Sequence, residues 1–161
     1  MVSTSKTNPV DTELIFCYNL GIYSKKARME LHVEAGPKTK RYIESLIPSM
    51  LAQLGLAKNQ KLLMIKVDPD LDELGTTIPL TGIDTYLVVL KPTRDLCALG
   101  VTLAHELVHV RQMARGILKI MPKGKKWRGK YYGRNVAYLQ QPWELDAFAR
   151  QEIVFRRAIE L

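Results

Sequence analysis

The feature that most constrains this chain is a His-Glu-x-x-His pattern, formed by His105, Glu106 and His109. It lies in a run typical of a helix, and residues four apart on a helix share one face, about 6 Å apart along the axis. Two imidazoles placed in this way can bind one Zn²⁺ from the same side. Glu106, about 100° around the helix, lies where a carboxylate can take a proton from a metal-bound water. We therefore predict a zinc site with two histidine ligands and an adjacent general base.

The two faces of this helix support that prediction. One face is apolar and holds Leu96, Leu99, Leu103, Leu107, Val110 and Ala114. The opposite face holds Arg94, Ala98, Val101, His105, His109 and Gln112. A helix of this kind is expected to be covered on both sides. Buried imidazoles need partners for their nitrogens, and a metal ion is one such partner. The alternative is that hydrogen bonds or solvent satisfy both histidines.

A third ligand is expected on the C-terminal helix, residues 142–161, where proline suits the first turn. Glu144 lies within about 60° of three apolar residues, so it extends an inward-facing stripe. These residues are Phe148, Phe155 and Ile159. An unpartnered carboxylate there would be costly, and the alternative of a capping box requires Ser or Thr where Gln141 stands. Glu144 is therefore the predicted third ligand, and Asp146, about 200° away, is expected to point elsewhere.

Length and pattern indicate a single α+β domain. A chain of 161 residues is long enough to bury about 70% of its unfolded surface. Residues 1–10 are predicted to be a flexible tail and residues 11–161 one domain. Strands are predicted at Glu13–Ile22, Met29–Glu34, Lys61–Val67 (buried on both faces) and Asp84–Lys91. Helices are predicted from Gly36 to about Leu56 and from an N-cap at Thr93 to Gly116. The expected fold is a small mixed sheet packed on a long helix, then the motif helix and the C-terminal ligand helix.

Two other stretches with ligand-type residues are interpreted as structural. His32 falls on the polar side of its predicted strand, which favours a solvated or cross-strand histidine. The run Asp68–Gly75 superficially resembles a calcium loop. However, Glu73 stands where that loop needs glycine, and Pro79 stands where it needs a bidentate glutamate. We therefore predict an acidic surface loop.

The cysteines and the hydropathy pattern indicate an intracellular protein. Cys17 and Cys97 stand among apolar residues without a C-x-x-C spacing, which predicts buried thiols in a reducing compartment. The N-terminal residues lack the apolar core of a signal peptide, and no run approaches about 18 apolar residues. The expectation is a cytoplasmic protein with no membrane partner.

A basic segment at residues 119–141 carries most of the net charge. It contains no acidic residue and seven cations: Lys119, Lys123, Lys125, Lys126, Arg128, Lys130 and Arg134. The whole chain has a net charge of +8, so the remainder contributes only +1. One interpretation is a solvated or substrate-side loop. The other is a surface for nucleic acid, in which Lys123, Lys125, Lys126 and Arg128 contact phosphates near Trp127, Tyr131 and Tyr132.

The motifs resemble those of a known class of proteins. His105-Glu106-Leu-Val-His109, followed by a helix with Glu144-Leu-Asp-Ala147, resembles the gluzincin metallopeptidases. Short metallopeptidases of phage and bacterial origin, and the SprT-like and ImmA/IrrE-like minimal zincins, are similar in the pattern Trp127-x-Gly129 … Tyr138-x-x-x-Pro142-Trp-Glu144-x-Asp-Ala147. The resemblance covers residues 85–150. It implies zinc ligands at His105, His109 and Glu144, with Glu106 as the base that activates water to hydrolyse a peptide or protein substrate.

The resemblance also implies a substrate strand and shows one departure. The strand before the motif helix, Thr85–Lys91, is expected to offer an edge for a bound peptide. Such families often have Asp or Asn four residues after the ligand glutamate, to orient a histidine, but this chain has Phe148. Another residue must therefore orient the imidazoles. A donor for the oxyanion is expected among Tyr131, Tyr132 and Tyr138.

Two other functions remain open at this point. One is a nucleic-acid-associated protein that uses the basic residues 119–134, including a DNA-associated protease like the SprT-like relatives. The other is a zinc-stabilised interaction protein without turnover.

Overall fold

The computed structural model describes residues 29–58, 61–81 and 85–160. The predicted tail at residues 1–10 and the predicted strand Glu13–Ile22 lie outside the described residues. The elements in chain order are β1 (Glu30–Glu34), α1 (Pro37–Gln53), β2 (Leu62–Val67), β3 (Gly75–Leu80), β4 (Thr85–Leu90), α2 (Leu96–Ala114), β5 (Leu118–Met121), β6 (Gly124–Trp127), β7 (Lys130–Gly133) and α3 (Pro142–Ile159). A 3₁₀ turn at Tyr138–Gln140 precedes α3. The predicted α+β class is confirmed.

The larger sheet has the strand order β1-β2-β4-β3. Strands β1, β2 and β4 are parallel, and β3 is antiparallel to β4. The predicted mixed sheet is therefore confirmed. The prediction that Thr85–Lys91 offers a free edge is wrong, because β4 pairs with β2 on one side and β3 on the other. The edge strand next to the motif helix is β3, which directly follows the acidic loop.

Strand β2 is less deeply buried than predicted. Leu63 and Ile65 are in the core, whereas Leu62 and Met64, which alternate with them, are half-buried. The prediction of burial on both faces is wrong for β2, since only one face is fully covered. An unbroken apolar run does not distinguish full from partial cover of the second face. In β4, by contrast, only Leu87 is not fully buried.

Helix α2 passes through the centre of the domain. Its residues from Leu99 to Val110 are almost all buried, which matches the prediction of cover on both faces. The predicted N-cap is wrong: the Asp95 side chain accepts hydrogen bonds from the backbone N–H groups of Cys97 and Ala98. Thr93 instead accepts a hydrogen bond from the Asp95 N–H, so it forms the turn before the cap.

Helix α3 lies in close contact with α2. Gly100 makes this approach possible, because a Cβ there would lie 2.3 Å from Cε2 of Phe155. Ala147 of α3 is also fully buried in the same core. At the other end of the helix pair, Gln112 in the second half of α2 donates to the carbonyl oxygen of Trp143, in the first turn of α3 that also carries Glu144.

The basic segment folds differently from the prediction. Instead of a loop, residues 118–133 form a three-stranded antiparallel sheet in the order β5-β6-β7, the basic sheet. Leu118 and Trp127 anchor it by packing against Trp143 at the start of α3. Arg128 and Gly129 link β6 to β7 with φ values of 47° and 87°, as a tight two-residue hairpin turn requires. Short strands dominated by lysine lack the apolar alternation that predicts a sheet, and the tryptophan contacts supply its stability.

Two findings bear on the environment of the chain. Cys97 is exposed, so the prediction of a buried thiol is wrong for this residue; it lies in the first turn of α2, near the surface. Cys17 lies outside the described residues. Among the described helices, none combines the length and hydropathy needed to cross a membrane.

Candidate metal centre

Three side-chain donors converge between α2 and α3. The Nε2 atoms of His105 and His109 lie 3.2 Å apart, and Oε2 of Glu144 lies 3.1 Å from the first and 3.3 Å from the second. All three residues are buried. The two histidines lie one turn apart on α2, and Glu144 is in the first turn of α3. The structure thus brings together the three residues predicted as ligands.

The spacing of these donors fits a zinc ion. Zinc binds imidazole nitrogen and carboxylate oxygen at about 2.0–2.2 Å, so two donors at a tetrahedral angle are about 3.3–3.5 Å apart. The measured separations of 3.1, 3.2 and 3.3 Å are close to this value. Two histidines and one carboxylate also make a donor set that zinc uses with a fourth position left for water or substrate.

The hydrogen bonds of the imidazoles orient their Nε2 atoms toward the centre. Nδ1 of His109 donates to Oε1 of Gln112 at 2.9 Å. The amide nitrogen of Gln112 donates to the carbonyl oxygen of Trp143 and to Oδ2 of Asp146, so the amide oxygen must face the imidazole. Nδ1 of His105 is likewise 2.8 Å from Oε1 of Gln151. With the protons on Nδ1, the Nε2 lone pairs are free to bind a metal.

The electrostatics of the three donors favour a positive charge between them. Burial alone would raise the pKa of Glu144, but hydrogen bonds with His105 and His109 lower it far below its usual range. Burial would lower the pKa of His105, but Glu144 and Gln151 raise it above its ordinary value. Both shifts mean that the carboxylate is held ionised beside a group that favours a cation. A divalent metal satisfies all three acceptors at once.

Glu106 lies beside these donors without joining them. Glu106 is 4% exposed, and its carboxylate accepts a hydrogen bond of 2.7 Å from the hydroxyl of Thr77 on β3. Burial raises the pKa of Glu106. The charge of His109 and the hydrogen bond from Thr77 lower this pKa, but the effect of burial is larger. A raised pKa brings a carboxylate closer to the neutral range in which a general base works best. Gly75 leaves room for this side chain, since a Cβ there would lie 2.8 Å from its Oε1.

The site opens into a cavity of about 340 Å³, lined by residues of β3, α2 and the basic sheet. Of the three tyrosines considered for the oxyanion, Tyr138 lines this cavity. Burial, followed by the hydrogen bond and charge of Glu144, raises its pKa, so its hydroxyl stays protonated. The Tyr131 hydroxyl donates to the Lys123 carbonyl oxygen instead, and Tyr132 packs edge-on against Trp143.

The glutamines that orient the imidazoles were missed by sequence reasoning. Phe148 contacts the His105 ring at 4.9 Å between centroids but offers no hydrogen bond. Gln112 and Gln151 take that role. A signal was present in the sequence, because Gln112 is three residues after His109, and Gln151 is seven residues after Glu144. At these spacings, each pair shares a helix face.

The remaining candidates are not among the converging donors. Asp146 pairs with Arg150 at 2.8 Å and accepts a hydrogen bond from Gln112, the residue that holds His109. His32 is exposed on β1. Asp68, in the predicted acidic loop, pairs with Lys66 at 3.1 Å. Of the four basic residues predicted to contact substrate or nucleic acid, Lys125 lines the cavity, whereas Lys123, Lys126 and Arg128 are exposed.

Gln112 provides a direct test of the metal centre. Because it is fully buried and fixes the tautomer of His109, we expect Gln112→Leu to lower zinc affinity about 10–100-fold. Competition with a chromophoric chelator measures this, with the fold checked by circular dichroism. Gln140→Leu, at an exposed position in the turn before α3, serves as the matched control. Equal affinities in the two variants would contradict a role for Gln112 at the metal.

No family model, curated protein or solved structure matches the chain. In the described part of the chain, donor atoms of His105, His109 and Glu144 lie close enough together to bind one metal ion. The Glu106 carboxylate lies beside them, and the same cavity is lined by all four residues.

Proposed function

We propose that the protein is a zinc-dependent hydrolase. More narrowly, we propose a metallopeptidase of the gluzincin type, in which His105, His109 and Glu144 hold the metal. The observation that carries this proposal is the convergence of two imidazole nitrogens and one carboxylate oxygen next to Glu106, at the wall of an open cavity. A purely structural zinc site is usually closed by four protein ligands, whereas the described residues offer three.

Each residue of the site has a part in hydrolysis. Zinc, when bound, acts as a Lewis acid that lowers the pKa of a water molecule and polarises a carbonyl group. Glu106 takes the proton of the attacking water and then gives it to the leaving amine. Thr77 holds the Glu106 carboxylate in place during both transfers. Tyr138 is the donor in the cavity that stabilises charge on the carbonyl oxygen.

The edge strand β3 supports a peptide as substrate. Gly75, Thr76 and Thr77 line the cavity, and β3 pairs with β4 on one side only among the described strands. An extended peptide can therefore add to the sheet along β3 by backbone hydrogen bonds. This role replaces the one expected for Thr85–Lys91, whose two edges are both occupied.

The proposal is tested with the purified protein, zinc and a mixture of peptides of diverse sequence. We expect one zinc per chain, peptide cleavage seen by mass spectrometry, loss of cleavage with a chelator and recovery when zinc is added back. Stoichiometric zinc without cleavage would favour the non-catalytic, zinc-stabilised alternative. Absence of zinc binding would reject both.

A cytoplasmic location is part of the same proposal. Cys97 is a free, exposed thiol in the described part of the chain. Exposed free thiols are typical of reducing compartments. A phage or bacterial origin follows only from the motif resemblance.

A second candidate function, nucleic-acid binding, is favoured by the outer face of the basic sheet. Lys119 and Lys126 stand directly opposite each other on β5 and β6, and both are exposed. Like charges in such a pair are destabilising unless an anion lies between them. Tyr131 is next in the same row, 53% exposed and held by its bond to the Lys123 carbonyl. Clustered cations beside a fixed aromatic ring suit a phosphate backbone with stacked bases.

The test is fluorescence anisotropy with a single-stranded oligonucleotide over a series of salt concentrations. Lys119→Ala combined with Lys126→Ala is expected to weaken binding and to reduce the salt slope by about 1.4, because each phosphate contact contributes about 0.7. The control is Lys38→Ala with Lys58→Ala, which removes the same charge from other exposed positions. Equal slopes in both double variants would argue against a defined surface on the sheet.

A further inference from the structure

The active-site cavity is one part of a longer cleft that follows helix α2. A second cavity of about 680 Å³ shares His105, Glu106, Gly75 and Tyr138 with the first. It continues toward the N-terminal half of α2, whereas the first cavity continues toward the C-terminal half. From Ala98 at one end to Met113 at the other, the helix rises about 22 Å, which is the length of about seven extended residues.

One end of this cleft is apolar. Beyond the shared residues, its walls are formed by Leu74, Ala98, Val101 and Phe148, with Thr102 and Gln151 as the polar members. Leu74 and Phe148 are 72% and 41% exposed, so both present apolar surface in the wall of the same cavity. An apolar side chain of a bound peptide would cover them and remove this surface from water.

The other end of the cleft is cationic. Lys125 lies half-buried beside Met113, Leu118 and Ile120, with Nζ 4.8 Å from the centre of the Trp143 ring. Within the described residues, no carboxylate forms an ion pair with it. A third cavity of about 290 Å³ continues past Lys125 to Arg134 and has no acidic residue in its walls. A half-buried cation of this kind favours a negatively charged ligand.

The two ends lie on opposite sides of the metal centre. Glu73 and Glu106 line both main cavities, and Glu144 lines only the first. Glu73 is two residues before the shared Gly75 and therefore lies near the middle of the cleft. The cleft thus changes from apolar to cationic along a path that crosses the catalytic groups.

We propose that this cleft selects peptides by polarity. An apolar side chain enters the end formed by Leu74, Val101 and Phe148, and a carboxylate pairs with Lys125 at the other end, so that the bond between them is cut. The carboxylate comes either from an acidic side chain or from the free C-terminus. This inference rests on the proposed peptidase function and deepens it by naming the substrate class.

Binding tests the inference separately from turnover. The zinc-loaded Glu106→Gln variant is titrated with fluorescein-labelled hexapeptides that contain Phe and, three residues later, Glu, Gln or Lys. The Gln peptide is used with a free and with an amidated C-terminus, which distinguishes the two sources of carboxylate. We expect the Glu peptide or the free C-terminus to bind about tenfold better than the neutral peptide, and the Lys peptide to bind least.

Lys125→Glu, introduced into the same background, is expected to reverse this order, so that the Lys peptide binds best. Lys38→Glu makes the same change of net charge on α1 and should preserve the original order. At the apolar end, replacing Phe by Ala in the peptide should cost about tenfold or more. Val101→Trp, which fills that end of the cleft, should abolish the difference in affinity between the Phe and Ala peptides.

The outcomes separate this inference from the proposed function. Wild-type cleavage of peptides with no preference, and no effect of Lys125→Glu, would overturn the polarity inference and leave the peptidase standing. The expected order of binding would support the inference whether or not the wild type cleaves the same peptides. Failure of every peptide to bind would overturn the inference outright.

Discussion

Replacing Glu106 by glutamine is expected to leave one zinc ion bound per chain and to lower kcat for peptide hydrolysis about 10²–10⁴-fold. Glu106 is not one of the three converging donors, so the metal should stay bound when the charge of Glu106 is removed. The glutamine oxygen can still accept the hydrogen bond from Thr77, which keeps the side chain in place. An amide, however, cannot take the proton of the attacking water. The variant should therefore lose catalysis and keep metal binding.

The measurement pairs kinetics with metal analysis of the same protein sample. Glu152→Gln makes the identical change at an exposed site on α3 that pairs with Arg156, and its kcat should match the wild type. Full activity in Glu106→Gln would exclude Glu106 as the base. Loss of zinc from Glu106→Gln would instead make Glu106 a ligand.

The candidate metal centre is predictable from the sequence because residue spacing on a helix determines which side chains share a face. His105 and His109 are one turn apart, and any helix through them places both rings on one side. Glu144 is predictable in the same way, because it continues an apolar stripe of the C-terminal helix, where a buried carboxylate needs a partner. The contact between α2 and α3 then brought the two sets together.

Other parts of the site depend on contacts that local pattern does not encode. Strand β3 contains Gly75 and Pro79 and takes its conformation from pairing with β4, so its six residues carry little strand signal of their own. The sheet that supplies Lys125 is fixed by packing of Trp127 near Trp143. The choice of Gln112 over any other partner for His109 depends on where the Trp143 carbonyl lies in space.

Replacing Glu144 by glutamine is expected to lower zinc affinity more than either Gln112→Leu or Glu106→Gln does. If a four-ligand zinc site is worth about 10–16 kcal/mol, one ligand contributes roughly 2.5–4 kcal/mol, which corresponds to about 10²–10³ in affinity. The glutamine keeps the volume of the side chain but removes the charge that neutralises the cation. Competition with a chelator of known affinity measures the change. Glu152→Gln, on the same helix, is again the control and should bind zinc like the wild type.

The same change should be visible in stability. At a zinc concentration 100 times the wild-type Kd, binding stabilises the folded state by about 2.7 kcal/mol. A variant with a Kd about 100-fold higher gains only about 0.4 kcal/mol under the same conditions. Zinc should therefore raise the Tm of the wild type and of Glu152→Gln by several degrees and leave that of Glu144→Gln almost unchanged. The Glu144→Gln change leaves the hydrogen bonds of His105 with Gln151 and of His109 with Gln112 in place, so it removes one ligand and keeps both imidazoles oriented. An equal rise of the Tm in all three proteins would therefore mean that the ion binds elsewhere.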